Sequence, residues 1–231
     1  MSRVAVVTGA NRGIGKELTR QLAGRGDTVI LGTRDVSRGE QALAALGPLA
    51  GAVLVRPLDV TSGTDASRLA AELADRFGRV DVLVNNAAIH YDTGQTAAAA
   101  DLGIVAEALE TNLLGAWRVT QALLPLLRAS PHGRIVNESS EGGSLARMGG
   151  GLPAYHTSKA ALNALTRTLA AELAPAGILV NSVCPGWVAT DMGGPGGEPV
   201  ALGAERVLWA ADLADGGPTG GFYRDGQPVP W

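Results

Sequence analysis

A single doubly wound α/β domain, a parallel seven-stranded sheet flanked by helices, is what this 231-residue sequence predicts. Three observations carry the prediction. Short β-branched runs alternate along the whole chain with longer stretches of helical periodicity. The strand runs are continuously apolar, the mark of strands covered on both faces. The first of them opens through a glycine-rich turn into an amphipathic helix, as a right-handed crossover to a parallel neighbour begins.

In chain order, Val4-Ala5-Val6-Val7-Thr8 is the first strand and residues 14–25 the first helix. Thr28-Val29-Ile30-Leu31-Gly32-Thr33 follows as a second strand, then a helix over 38–46 and a strand over 53–58. Helix 66–77 and strand 80–85 come next, followed by a long helix over 107–129 whose stripe is Leu109, Leu113, Leu114, Val119, Leu123 and Leu126. Strand 133–139 precedes helix 154–173, where Leu162, Leu165, Leu169 and Leu173 form the apolar stripe. Strand 178–183, helix 201–211 and a weak strand near 221–223 complete the pattern. No repeat or linker divides the chain, so residues 1–231 read as one domain. The glycine-rich stretches 142–151 and 193–197 fall between elements and read as loops around a site.

Composition narrows the function. Hydrophobic residues make up 46% and charged residues 18%, as in soluble globular proteins. The net charge is -3, and of 19 basic residues only Lys16 and Lys159 are lysines, with no basic run. Neither nucleic acid nor an acidic membrane surface is an expected partner. Cys184 is the one cysteine, which excludes an intramolecular disulfide framework, fits a reducing cytoplasm and reads as a small core residue. The first residues lack the apolar stretch of a signal peptide, and no run of about 18 apolar residues suggests a membrane span. His90, His132 and His156 show no ligand spacing with Cys184, so no metal is expected. Trp117 and Trp209 fit helix packing, whereas Trp187, after Pro185-Gly186, either packs or faces a substrate.

The turn after the first strand is Gly9-Ala10-Asn11-Arg12-Gly13-Ile14-Gly15, a G-x-x-x-G-x-G spacing. Glycines there let the backbone approach a pyrophosphate whose charge meets a helix N-terminus. The adenosine ribose would lie at the end of the second strand. Thr33 stands 18 residues after Gly15, near the ~20 at which an acid would select NAD. Here the position is neutral and Arg34 follows; with Arg12 it offers a guanidinium fork for a 2′-phosphate, hence NADP. If Asp35 faces the ribose instead, NAD is favoured.

Tyr155 and Lys159 are four apart and share a helix face, whereas His156 points about 100° away. An ammonium beside a phenol favours the phenolate, and the phenol can then act as general acid or base at a carbonyl or alcohol oxygen. Ser140, after a strand ending Asn137-Glu138-Ser139, would sit at the carboxyl edge of the sheet as a hydrogen-bond donor, or merely cap the strand end. Asn112 interrupts the apolar stripe of its helix, as a site residue or on a solvent face.

Together these motifs resemble the short-chain dehydrogenase/reductase family, carbonyl-reductase-like branch. The match comprises Thr8 through Gly15, Leu58-Asp59-Val60-Thr61, Asn85-Asn86-Ala87-Ala88, Asn112, Ser140, Tyr155 through Lys159 and Pro185 through Thr190, in family order. The resemblance implies a single Rossmann-type domain and an NADP(H)-dependent oxidoreductase that moves hydride between nicotinamide and an aldehyde, ketone or quinone. Asn112, Ser140, Tyr155 and Lys159 would be its catalytic residues. Gly9, Asn11, Arg12, Gly13, Ile14, Gly15, Thr33, Arg34, Asp59, Val60, Asn85 and Ala87 would bind the cofactor, with Tyr155, Lys159, Pro185, Gly186, Val188 and Thr190 at the nicotinamide end. Asn112 would open its helix and hold a water relaying protons to Lys159. Ala88 departs from the family's glycine, adding a methyl near the cofactor. Tyr155 follows Ser140 by only 15 positions, too few for the insertion that covers a helical interface in monomeric carbonyl reductases. A homodimer or homotetramer through the helices of Asn112 and Tyr155 is therefore expected. A substrate loop at about 191–200 would cover a small or open pocket. The alternatives are a non-catalytic NADP-binding regulator, or epimerisation or dehydration on the same scaffold.

Overall fold

The computed structural model describes residues 2–231. Its strands are β1 (Val4–Thr8), β2 (Thr28–Thr33), β3 (Val53–Pro57), β4 (Val82–Asn85), β5 (Arg134–Glu138), β6 (Leu179–Val183), β7 (Phe222–Arg224) and β8 (Gln227–Pro228). They form one sheet in the order β3-β2-β1-β4-β5-β6-β7-β8. The helices are α1 (Gly13–Gly24), α2 (Val36–Ala44), α3 (Gly63–Phe77), α4 (Leu102–Leu109), α5 (Ala116–Arg128), α6 (Pro153–Leu173) and α7 (Val200–Ala211).

Successive strand residues send side chains to opposite faces, so the continuous apolar strands build two cores. Leu83 and Ile135 join Leu123 and Leu162 beneath α3, α5 and α6. Val84 and Val136 join Leu22 and Leu208 beneath α1 and α7. β1 pairs in parallel with both β2 and β4, so the chain direction of winding reverses between them. A crevice opens at the carboxyl edge of such a reversal.

The sheet has eight strands, not the seven predicted. β7 and β8 pair antiparallel through Asp225 and Gly226, whose φ values of 52° and 70° give the two-residue hairpin its left-handed turn. β8 is two residues long, contains a proline and sits at the edge, so no apolar run announces it. The long helix predicted over 107–129 begins earlier, at Leu102, and is α4 and α5 joined by a π-helical turn, Glu110–Gly115. α3 likewise starts before its apolar stripe, because the Ser62 side chain accepts from Asp65 N at 3.1 Å and caps it. Trp209 packs on Tyr223, ring centroids 4.8 Å apart, but Trp117 is 39% exposed and is not a core residue. Cys184 is buried. Among the described residues no helix is long and apolar enough to cross a membrane.

Candidate active site

The glycine turn is laced to the end of β4. Thr8 Oγ1 accepts from Asn86 N and Ala87 N, each at 3.0 Å, and Asn86 Nδ2 donates to Thr8 O at 2.7 Å. Gly9 has φ 63°, and a Cβ there would lie 2.9 Å from Ala87 Cα, so no larger residue fits. A Cβ on Gly15 would lie 2.6 Å from Asn86 Nδ2, which makes Gly15 a packing requirement of the turn and not part of the cleft wall. α1 starts with no side-chain cap and no acid in its first turn. Its free amides and dipole are open to an anion. Gly9, Asn11, Arg12, Gly13 and Ile14 line one side of an open cleft.

At one end of the cleft lie Thr33, Arg34, Asp35, Arg38, Asp59, Val60 and Thr61. Thr33 is buried, and its Oγ1 accepts from Asp35 N at 3.2 Å. Asp35 caps α2 by accepting from Arg38 N at 3.2 Å, and its carboxylate lies 3.4 Å from the Arg38 guanidinium. Arg38 was not singled out from the sequence; its position one turn after a capping aspartate is the signal that finds it. Arg12 pairs across the cleft with Asp191 at 3.0 Å, both side chains largely exposed.

At the other end α6 presents Tyr155 and Lys159 on the cleft wall. The start of α6 is held by Asp92, a fully buried carboxylate that accepts from Ala154 N at 2.8 Å and Tyr155 N at 3.2 Å. Asp92 lies in an irregular segment 62 residues before Ala154, so no local pattern points to it. His90 stacks on Tyr155 with ring centroids 4.7 Å apart. The Lys159 ammonium donates to Glu138 O at 2.7 Å and sits 5.6 Å from the Tyr155 ring centroid.

The spacing predicts a phenol made acidic by that ammonium, but burial sets the direction of its shift. Burial pushes the Tyr155 phenol above its usual range, and the carboxylates of Glu138 and Asp92 push the same way. A hydrogen bond with Ser140 is the one opposing influence. Lys159 spends its contact on a main-chain carbonyl, and burial lowers its own pKa while Glu138 partly restores it. The phenol is therefore held protonated.

Ser140 lies two residues after β5 and accepts from Gly142 N at 3.1 Å, which turns the chain there. Asn112 is buried at the π-helical turn. Its Oδ1 accepts from Ile89 N at 2.8 Å, while its Nδ2 donates to Ile89 O at 3.0 Å and to Ser158 Oγ at 2.9 Å. These bonds tie the segment after β4 to α6. Asn85 braces the sheet through Thr120 Oγ1 at 3.1 Å and Asn137 Oδ1 at 2.8 Å.

Of the residues singled out from sequence, Ala87 and Thr190 also line the cleft, with Ala88 beside them. Pro185, Gly186 and Val188 lie behind the wall. A Cβ on Gly186 would meet Arg206 Nη1 at 2.5 Å, and Val188 packs against Gly203 of α7. Trp187 is 64% exposed and donates from Nε1 to Gly193 O at 2.7 Å, folded over its own loop. Among the described residues no three His, Cys, Asp or Glu side chains cluster as a metal site.

Comparison with known proteins decides the family. Residues 3–199 match the family model described as short chain dehydrogenase. The chain belongs to the short-chain dehydrogenase family. Among curated relatives, salutaridine reductase from Papaver bracteatum is 35% identical over 96% of this chain and 94% of its own. Carbonyl reductase [NADPH] 1 from Sus scrofa is 34% identical over 100% of this chain and 94% of its own. The NADPH-bound carbonyl reductase from chicken fatty liver superposes with a TM-score of 0.88 at 30% identity, covering 100% of this chain and 99% of that one. This short-chain dehydrogenase is thus carbonyl-reductase-like, an oxidoreductase of a family that uses a nicotinamide cofactor on small molecules. The close backbone approach at Gly9 and the uncapped start of α1 fit a dinucleotide.

Proposed function

We propose that the protein is an NADP(H)-dependent reductase of aldehydes, ketones or quinones in which Tyr155 is the proton donor. The observation that carries this reading is a single cleft with Tyr155 beside Lys159 at one end and two guanidinium-bearing residues at the other. A pyrophosphate is held by the amides at the start of α1, and a 2′-phosphate by Arg34 and Arg38. Asp35 lies on the same stretch of cleft wall, and its carboxylate is engaged by Arg38 at the first turn of α2. Lys159 binds ribose hydroxyls at the inner end.

A bound nicotinamide supplies hydride to the carbonyl carbon. Tyr155 gives its phenolic proton to the carbonyl oxygen, so hydride and proton together make the alcohol. Ser140 donates a hydrogen bond to that oxygen as charge develops. Lys159 favours the phenolate left behind, and a water held at the opened helix of Asn112 returns the proton. Residues 191–200 close over the substrate.

Supporting self-association, Leu102 (75% exposed), Leu114 (40%) and Trp117 (39%) lie along α4, the π-helical turn and α5, and we assign them to a homodimer or homotetramer interface with α6. A reducing, cytoplasmic setting suits the lone buried thiol. NADPH oxidation against a carbonyl panel tests the reading. Turnover is expected with NADPH in preference to NADH, and Tyr155→Phe should lower kcat by about 10² or more while leaving NADPH affinity within twofold. Retained turnover in Tyr155→Phe would refute the proton-donor role.

A further inference from the structure

One acid in the cleft has no part in that chemistry. Glu138 is the last residue of β5 and lines the inner end of the cleft with Tyr155 and Lys159. Alternation along the strand fixes its direction. Asn137 faces α6, donating to Thr166 Oγ1 at 2.8 Å, whereas Val136 faces α1 and α7. Glu138 leaves on the face of Val136, at the carboxyl edge where the cleft opens. Its Oε2 is enclosed and has no hydrogen-bond partner. The nearby Lys159 ammonium binds its main-chain carbonyl.

The charges around this point come from several elements. α6 contributes neutral Tyr155 and the Lys159 ammonium, and Cys184 follows β6. Asp92, from the segment after β4, is already engaged by two amides of α6. An oxidised nicotinamide is a cation and a reduced one is neutral. Without Glu138, an oxidised ring beside Lys159 would set two positive charges together in a poorly solvated place, where like charges repel strongly. A carboxylate with an unused oxygen balances them. Burial opposes its ionisation and Lys159 favours it.

We propose that Glu138 is a cofactor-site residue that distinguishes the redox states of the nicotinamide, its carboxylate favouring the oxidised cationic ring over the reduced neutral one. The inference rests on the cleft being the nicotinamide site. Its consequence is direction: tighter holding of the oxidised form makes the bound reduced form the stronger hydride donor and biases the enzyme toward carbonyl reduction.

The test is equilibrium binding without substrate. Dissociation constants for NADP⁺ and NADPH are measured separately at pH 8.5 for wild type, Glu138→Gln and Glu138→Val. An opposite charge at close range displaces a charge equilibrium by about tenfold or more. The ratio Kd(oxidised)/Kd(reduced) should therefore rise about tenfold in both variants, which is about 30 mV for a two-electron couple. A ratio within twofold of wild type in Glu138→Gln overturns the proposal, and a change confined to Glu138→Val overturns it too by assigning the effect to packing. If wild type binds neither form, it is the reading of the cleft that fails.

Discussion

Asn112→Ala should cost the fold several kcal/mol although it removes no apolar packing of note. The side chain makes three hydrogen bonds of 2.8–3.0 Å, to Ile89 N, Ile89 O and Ser158 Oγ. Alanine leaves the main-chain donor and acceptor of Ile89 without these partners in a buried setting, at about 1–3 kcal/mol each. Ser158 loses only an incoming bond, since its hydroxyl still donates to Tyr155 O at 2.8 Å. The loss should total roughly 2–5 kcal/mol. For a chain of this length each kcal/mol corresponds to about 2–4 °C, so Tm should fall by about 10 °C. Because Ile89 also lines the cleft, NADPH affinity should weaken with it. Urea unfolding gives the energy and calorimetry the Tm. A loss under about 0.5 kcal/mol, typical of a surface substitution, would show that the segment after β4 does not depend on Asn112.

Three further outcomes follow from the same geometry. Removing both guanidinium groups, Arg34→Ala with Arg38→Ala, should raise the Kd for NADPH by about 100-fold or more, at about 1.5 kcal/mol or more for each of the two charge-assisted contacts, and leave NADH binding nearly unchanged; equal weakening of both would deny the 2′-phosphate site. Glu138→Gln should stabilise the cofactor-free protein at neutral pH, because burial disfavours the charged carboxylate more than Lys159 favours it. Its native pKa is raised, so the native state holds the proton more tightly than the unfolded chain does. Wild-type stability therefore falls as pH rises above the ordinary glutamate value of about 4.3, and the Tm gap to Glu138→Gln should widen between pH 5 and pH 8; a constant gap would contradict this. Leu114→Arg, on the exposed face beside Trp117, should reduce the mass seen in light scattering to that of one chain, and a wild-type monomer would remove the interface altogether.

Much of this protein is legible without coordinates because its signals are local. Val4–Thr8 followed by Gly9, Gly13 and Gly15 prescribes strand, turn and helix, since a continuous apolar run and glycine freedom act over neighbouring residues. Tyr155 and Lys159 reach the same cleft because four residues are close to one helical turn. What lay beyond reach depends on distant segments. Asp92 is recognisable only once α6 sets its first amides against it. β8 exists because Asp225 and Gly226 fold back on β7, a pairing without an apolar pattern of its own.

The acidity of Tyr155 marks the boundary most clearly. Spacing alone puts an amine near a phenol, and from that a depressed pKa follows. In the folded protein Lys159 turns to the carbonyl of Glu138, and burial with the carboxylates of Glu138 and Asp92 pushes the phenol up instead. Sequence determines which groups share a helix face, a matter of a few backbone angles. Desolvation and charge at that face are sums over side chains from β5, β6, α6 and the segment after β4, and only the packed tertiary structure brings those together.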